Sequence, residues 1–219
     1  MYTLKYKSHI NLYLHRGFSL VEMAIVLIIF GLFLSATLVP LSAQRDLSDY
    51  RTTRSDLEQI REALYGYAIA NGKFPCPDSL GNDGVADPCL STPVSGSSGG
   101  NIPWVTLGVP KSDPWSNPYH YRVANPYITT FLLSSVGNLD VKTSSGTSNL
   151  VANNVPVVIY SSGKNGAIPP ASADEQQNSV AGNNSIFVSH EITPDFDDIV
   201  TWISTSVLLN KMVSAGKLP

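Results

Sequence analysis

The stretch Arg16-Gly17-Phe18-Ser19-Leu20-Val21-Glu22-Met23-Ala24-Ile25-Val26-Leu27-Ile28-Ile29-Phe30-Gly31-Leu32-Phe33-Leu34-Ser35-Ala36 decides how the chain is read. Ahead of the apolar run, residues 1–17 hold Lys5, Lys7 and Arg16 and no acidic side chain, a charge bias that keeps a flank in the cytoplasm. From Met23 to Val39 only Ser35 and Thr37 are polar, and Phe18 to Val39 covers 22 positions. At about 1.5 Å of rise per residue, such a helix spans a hydrocarbon layer of roughly 30 Å. A cleaved secretory signal needs small residues just after its apolar stretch, and Leu41-Ser42-Ala43 fits that poorly. A plain anchor leaves Glu22 unexplained, because a carboxylate inside an apolar helix costs about 2.5 to 3.5 kcal/mol. Glu22 therefore needs a partner.

Gly17, Phe18, Ser19, Leu20, Val21 and Glu22 resemble, position by position, the start of type IV pilins and type II secretion pseudopilins. In that family a short basic leader ends in Gly, Phe follows, and Glu stands at the fifth mature position. The resemblance implies cleavage between Gly17 and Phe18 by a prepilin peptidase and N-methylation of the new Phe18 amine. It also implies storage in the bacterial inner membrane as a single-pass protein with a periplasmic carboxyl-terminal domain, then entry into a pilus or pseudopilus. The charge logic agrees: a new α-amine at Phe18 is positive in a low-dielectric setting, where a neighbouring subunit's Glu22 can neutralise it.

Beyond Pro40, which removes a helix donor and favours a kink, the pattern becomes amphipathic. Leu47, Tyr50, Leu57, Ile60, Leu64 and Tyr67 recur at helical spacing among charges of mixed sign, and Gly72 offers a stop. The expected organisation is a leader at 1–17, a membrane and assembly helix at 18–39, an amphipathic helix at 40–72, and a loop-rich domain at 73–219. Within that domain IPWVTL, YHYRVA, ITTFLLSS, VPVVIYSS and SIFVSHEI read as β-rich runs, and STPVSGSSGGN and KTSSGTSNLVANN read as loops. The end, IVTWISTSVLLNKMVSAGKLP, has helical spacing in Trp202, Val207, Leu208 and Met212. The fold class predicted is α+β: a long helix packed on a small antiparallel sheet, as in pilins.

At 219 residues and 43% hydrophobic content the chain can bury one modest core. A net charge of −3 gives no basis for nucleic acid as a partner, and charged residues reach only 14%. Cys76 and Cys89 are the only cysteines, close together in a Pro/Asp/Gly-rich stretch. Outside the cytoplasm they predict a local disulfide; the rival is a zinc site completed by His120 and His190. Asp113-Pro114-Trp115-Ser116-Asn117-Pro118-Tyr119 is similar to a major-pseudopilin signature that carries Gly where this chain has Ser116. Asp198-Ile199 with Trp202 resembles the end of the same subfamily's calcium loop, although Phe196 stands where that loop has Asp.

Asp195, Asp197 and Asp198 set three carboxylates close together, a donor set suited to calcium, with a solvated turn or helix cap as the alternative. Asp78, Asn82, Asp83 and Asp87 form a second oxygen-rich loop without EF-hand spacing. Only His120 and His190 remain for acid–base work after leader removal, and no hydrolase elbow, Walker loop or zincin motif is present, so no enzyme is expected. A structural filament subunit, with other pilin or pseudopilin subunits and the prepilin peptidase as partners, is the leading expectation. A low-abundance tip subunit that binds substrate, surface or DNA is the alternative, and a membrane-anchored hydrolase the remote one.

Overall fold

The computed structural model describes residues 17–89, 97–166, 172–179 and 185–218, with the side chains of 36–43 and 97–98 outside the description. Of the leader predicted at 1–17, all but Gly17 lies outside it too. The chain divides into two units, Met1–Asp46 and Leu47–Pro219. In the first, helix α1 (Leu20–Asn71) begins. Among the described residues no helix is long and apolar enough to cross a membrane; the predicted span over 18–39 runs into the side chains that are not described.

Helix α1 begins at a reciprocal cap. The Glu22 amide donates to Ser19 Oγ at 3.2 Å, and the Ser19 amide faces Glu22 Oε2 at 3.5 Å, the capping-box arrangement that satisfies two orphan donors. The helix ends as the sequence predicts. Gly72, at φ 70°, donates its amide to Ala68 O at 2.7 Å, a left-handed stop that glycine takes without a Cβ penalty.

In the second unit the carboxyl-terminal half of α1 buries Thr53, Leu57, Ile60, Leu64, Tyr65 and Ala68. The buried stripe matches the predicted one at Leu57, Ile60 and Leu64, but Leu47 is exposed. Tyr50 instead sets its ring edge-on to Trp115, 4.9 Å between centroids. Against this stripe lie residues of a four-stranded antiparallel sheet in the order β1-β2-β5-β7, formed by β1 (Ser97–Asn101), β2 (His120–Ala124), β5 (Val157–Ser161) and β7 (Ile199–Ile203). All five residues of β5 are buried, as expected of a central strand. A second sheet, β4-β3-β6, joins β4 (Leu150–Val155), β3 (Leu139–Lys142) and β6 (Ile186–Val188). Its β3–β6 pair is parallel, which makes the β content mixed rather than purely antiparallel. Short helices α2 (Trp104–Leu107) and α3 (Ala173–Ser179) and the terminal α4 (Thr205–Ser214) complete the fold.

Several segments depart from their sequence patterns for identifiable reasons. IPWVTL is the helical turn α2, stopped by Gly108 at φ 67°. ITTFLLSS forms no strand: Ile128 and Phe131 enter the core, Leu132 and Leu133 stay exposed, and Phe131 joins Phe74 and Tyr127 in an aromatic cluster with centroids 5.0 to 6.3 Å apart. The glycine-rich SSGGN, predicted as loop, is strand β1. A Cβ on Gly99 would collide with the Arg122 guanidinium, so glycine here permits a close approach that a side chain would block. The β-branched IVTWI breaks from the helical reading and pairs with β5; only the residues after Ser204 form the terminal helix.

Candidate functional site

Cys76 and Cys89 are joined, with Cα atoms 5.5 Å apart and a sequence separation of 13. The zinc alternative is therefore replaced, since that site needed both cysteines as thiolates and a disulfide leaves neither. Its other proposed ligands are engaged elsewhere. His120 stacks on Tyr160 at 4.7 Å, and His190 stacks on Phe196 at 3.9 Å.

The oxygen-rich loop inside the disulfide turns its carboxylates on its own backbone. Asp78 accepts the Asn82 amide at 2.8 Å and the Gly84 amide at 2.7 Å. Asp87 accepts the amides of Ser79 at 2.6 Å and Leu80 at 2.8 Å, and these hydrogen bonds hold its carboxyl below the usual carboxylate range. Donors thus already occupy both oxygens of Asp78 and one of Asp87.

The DPWSNPY segment is a packing corner. Asp113, buried, accepts the amides of Trp115 at 3.0 Å and Asn117 at 2.8 Å and the Ser161 hydroxyl at 2.6 Å; burial nonetheless pushes its pKa up. Tyr119 donates to Asp56 Oδ2 at 2.9 Å, tying the corner to α1. Asn117 Nδ2 reaches across to Gly163 O at 2.6 Å. Ser116, in the place of the signature glycine, is left-handed at φ 72°.

Gly163 leads to the carboxylate cluster. Its φ is 62°, and a Cβ there would collide with Asp197. Glu175, Asp197 and Asp198 each place a carboxylate oxygen within 4.8 Å of the others. Two charges at that separation repel by about 3 kcal/mol at an effective dielectric of 20, so the cluster takes up either a proton or a cation. Burial raises the pKa of Asp198 to about 7; the Asn178 hydrogen bond opposes the shift, and the charges of Glu175 and Asp197 add to it. Burial likewise raises that of Asp197, with the Asn165 amide opposing.

The surrounding donors orient this cluster. Asn165 N donates to Asp197 Oδ2 at 3.0 Å and Asn178 Nδ2 to Asp198 Oδ2 at 2.8 Å. In each aspartate the other oxygen, Oδ1, is buried without a hydrogen-bond partner among the described residues. Outer donors that pin one oxygen and aim the second are what a metal site uses, and oxygen ligands suit calcium. Asp195, the remaining member of the predicted set, is exposed and stands outside the cluster. Glu175 takes the third place. It comes from α3, 22 positions before Asp197, and no local spacing signals it.

Phe18 and Glu22 are exposed, and a Cβ on Gly17 would meet no described atom within 4 Å. The apolar side chains from Phe18 to Leu34 are exposed as well.

A family model described as prokaryotic N-terminal methylation motif matches residues 14–38. That of type II secretion system protein G matches residues 41–154. The type II secretion system core protein G of Aeromonas hydrophila is 31% identical over 107 residues, covering 47% of this chain and 69% of that protein. Its namesake from Vibrio cholerae serotype O1 is 30% identical over 105 residues, covering 48% and 68%. No solved structure matches significantly. Glu175, Asp197 and Asp198 lie beyond the residues that either family model covers. With the methylation motif at its head and the protein G pattern across more than half its length, the chain belongs to the type II secretion system protein G family.

Proposed function

We propose that the protein is a structural subunit of a type II secretion pseudopilus. A prepilin peptidase cleaves it between Gly17 and Phe18, and Phe18 is N-methylated. The apolar half of α1 stores the subunit in the bacterial inner membrane, with the Leu47–Pro219 unit in the periplasm, and then packs against the same helix of neighbouring pseudopilin subunits. The observation that carries this reading is the Gly17-Phe18 junction followed by Glu22 at the head of a helix whose apolar side chains are exposed. Uncovered apolar surface of that extent calls for lipid or neighbouring helices. A structural calcium ion held by Asp197 and Asp198 belongs to the same reading, supported by their two unpartnered buried oxygens.

The test is Glu22→Val. Removing a charge from an apolar run favours insertion, so the variant is expected to insert and be cleaved normally but to enter sheared or cross-linked filaments at a small fraction of the wild-type level. Intact mass of membrane-derived protein, beginning at methylated Phe18, is the control for processing. Normal incorporation of a correctly processed variant would refute the assembly role.

A further inference from the structure

We infer that β4 of one copy adds to the open edge of β7 in the next, so that neighbouring subunits share one sheet through their Leu47–Pro219 units; the inference deepens the filament reading above and rests on it. Of the four edges of the two sheets, two are closed by polar contacts. At β1, Asn101 exchanges backbone hydrogen bonds with Asp78 at 2.9 and 3.0 Å. At β6, the Asn178 side chain accepts the Val188 amide at 2.7 Å and donates to Val188 O at 3.0 Å. The other two edges are open. Among the described residues, the outer backbone edges of Ile199–Ile203 in β7 and of 150–153 in β4 make no hydrogen bond. Only the next carbonyl of β4, that of Asn154, accepts the Thr205 hydroxyl, at 3.1 Å. Neither strand holds a lysine or a proline, residues that commonly guard an exposed edge against pairing with another chain.

The two open edges fit one another. Strand β7 is recessed: its consecutive residues Val200, Thr201 and Trp202 line a cavity of about 450 Å³ walled by Glu62 and Tyr65 of α1 and Val207 of α4. Side chains alternate between the faces of a strand, so three residues in a row reach one cavity through their shared backbone edge. Strand β4 projects. Leu150 and Val151, adjacent and therefore on opposite faces, are both exposed. The charges around the groove are matched internally, Lys211 with Glu62 at 2.9 Å and Arg61 with Glu58, while LVANNV carries none. Insertion of that strand therefore leaves no buried charge without a partner. Backbone hydrogen bonds give strand addition its strength and alternate side chains its specificity. Each copy carries one edge of each kind, so the contact repeats head to tail without closing, as a filament requires.

The experiment is disulfide cross-linking in sheared filaments of the full-length protein carrying Val151→Cys and Thr201→Cys in the same chain. These are the middle positions of the two edges and meet in either strand orientation, with Cβ atoms of opposed residues about 4.5 to 5.5 Å apart. Cys76 and Cys89 are already bonded to each other and take no part. Mild oxidation is expected to give a reducible ladder of dimers, trimers and longer products from the double variant, and monomers from each single variant. Filaments at wild-type yield that give no ladder overturn the inference and leave the filament reading standing. Dimers from either single variant overturn it as well, since they mean that an edge pairs with its own kind. Absence of filaments from wild type removes the filament reading, and the contact with it. Should the double variant not assemble, Val151→Lys decides, because it sets a charge at an exposed position of the edge. It is expected to lower filament yield at least about fivefold at an unchanged level in the membrane, and an unchanged yield overturns the inference.

Discussion

At the scale of single residues, two side chains sit against their local preferences. Ser116 holds φ 72°, a left-handed conformation that costs an L-residue about 1 to 2 kcal/mol. Glycine removes that strain but adds freedom to the unfolded chain, worth about 0.4 to 1 kcal/mol. Ser116→Gly is therefore expected to stabilise the protein by about 0.5 to 1 kcal/mol, seen as a higher denaturation midpoint at unchanged slope. His120 is the second. Burial lowers its pKa from 6.5 to about 4, so between those values the unfolded chain binds a proton that the folded one refuses. Stability falls as pH drops below 6.5, and the loss is complete below about 4, reaching up to about 3 kcal/mol. His120→Phe keeps a ring against Tyr160 and lacks the titration. Denaturation at pH 7.5 and pH 4.5 is expected to show a smaller difference for this variant than for wild type; equal differences would mean that His120 titrates normally.

At the scale of elements, the disulfide and the loop it closes act together. The Cys76–Cys89 bridge fixes the ends of a segment whose Asp78 and Asp87 already cap its own amides. Chain-entropy reasoning gives a loop of this size about 3 kcal/mol of stabilisation. The double variant Cys76→Ala with Cys89→Ala is expected to lose about that much in equilibrium denaturation, and to melt alike with and without reductant, unlike wild type. The pairing was legible because two nearby cysteines leave little choice. The helix was legible too, since Leu57, Ile60 and Leu64 keep strict 3.6-residue spacing. Strand β1 was not: Ser-Ser-Gly-Gly-Asn has no β propensity, and only its pairing with β2 and the approach of Arg122 make it a strand. The carboxylate cluster was half legible. Asp197 and Asp198 advertise themselves by adjacency, but Glu175 reaches them only through tertiary folding, and Asp195 turns to solvent.

At the scale of the whole molecule, the core draws together segments far apart in the sequence. Leu208 and Met212 of α4 and Ile203 of β7 share one buried cluster with Leu57, Ile60 and Leu64 of α1. Strand β7 is also the outer neighbour of β5, pairing from Val157 with Ile203 to Ser161 with Ile199. A chain emerging amino terminus first has its helix complete long before these residues exist. The stripe of α1 that faces the core stays uncovered until Ile203, Leu208 and Met212 have been made. A ribosome stalled before Ile199 thus leaves a chain whose helix is already made but whose core cannot close. A product truncated there would present that apolar stripe to proteases as an unfolded substrate, and escape from that fate depends on β7 and α4 rather than on the segment at the head of the chain.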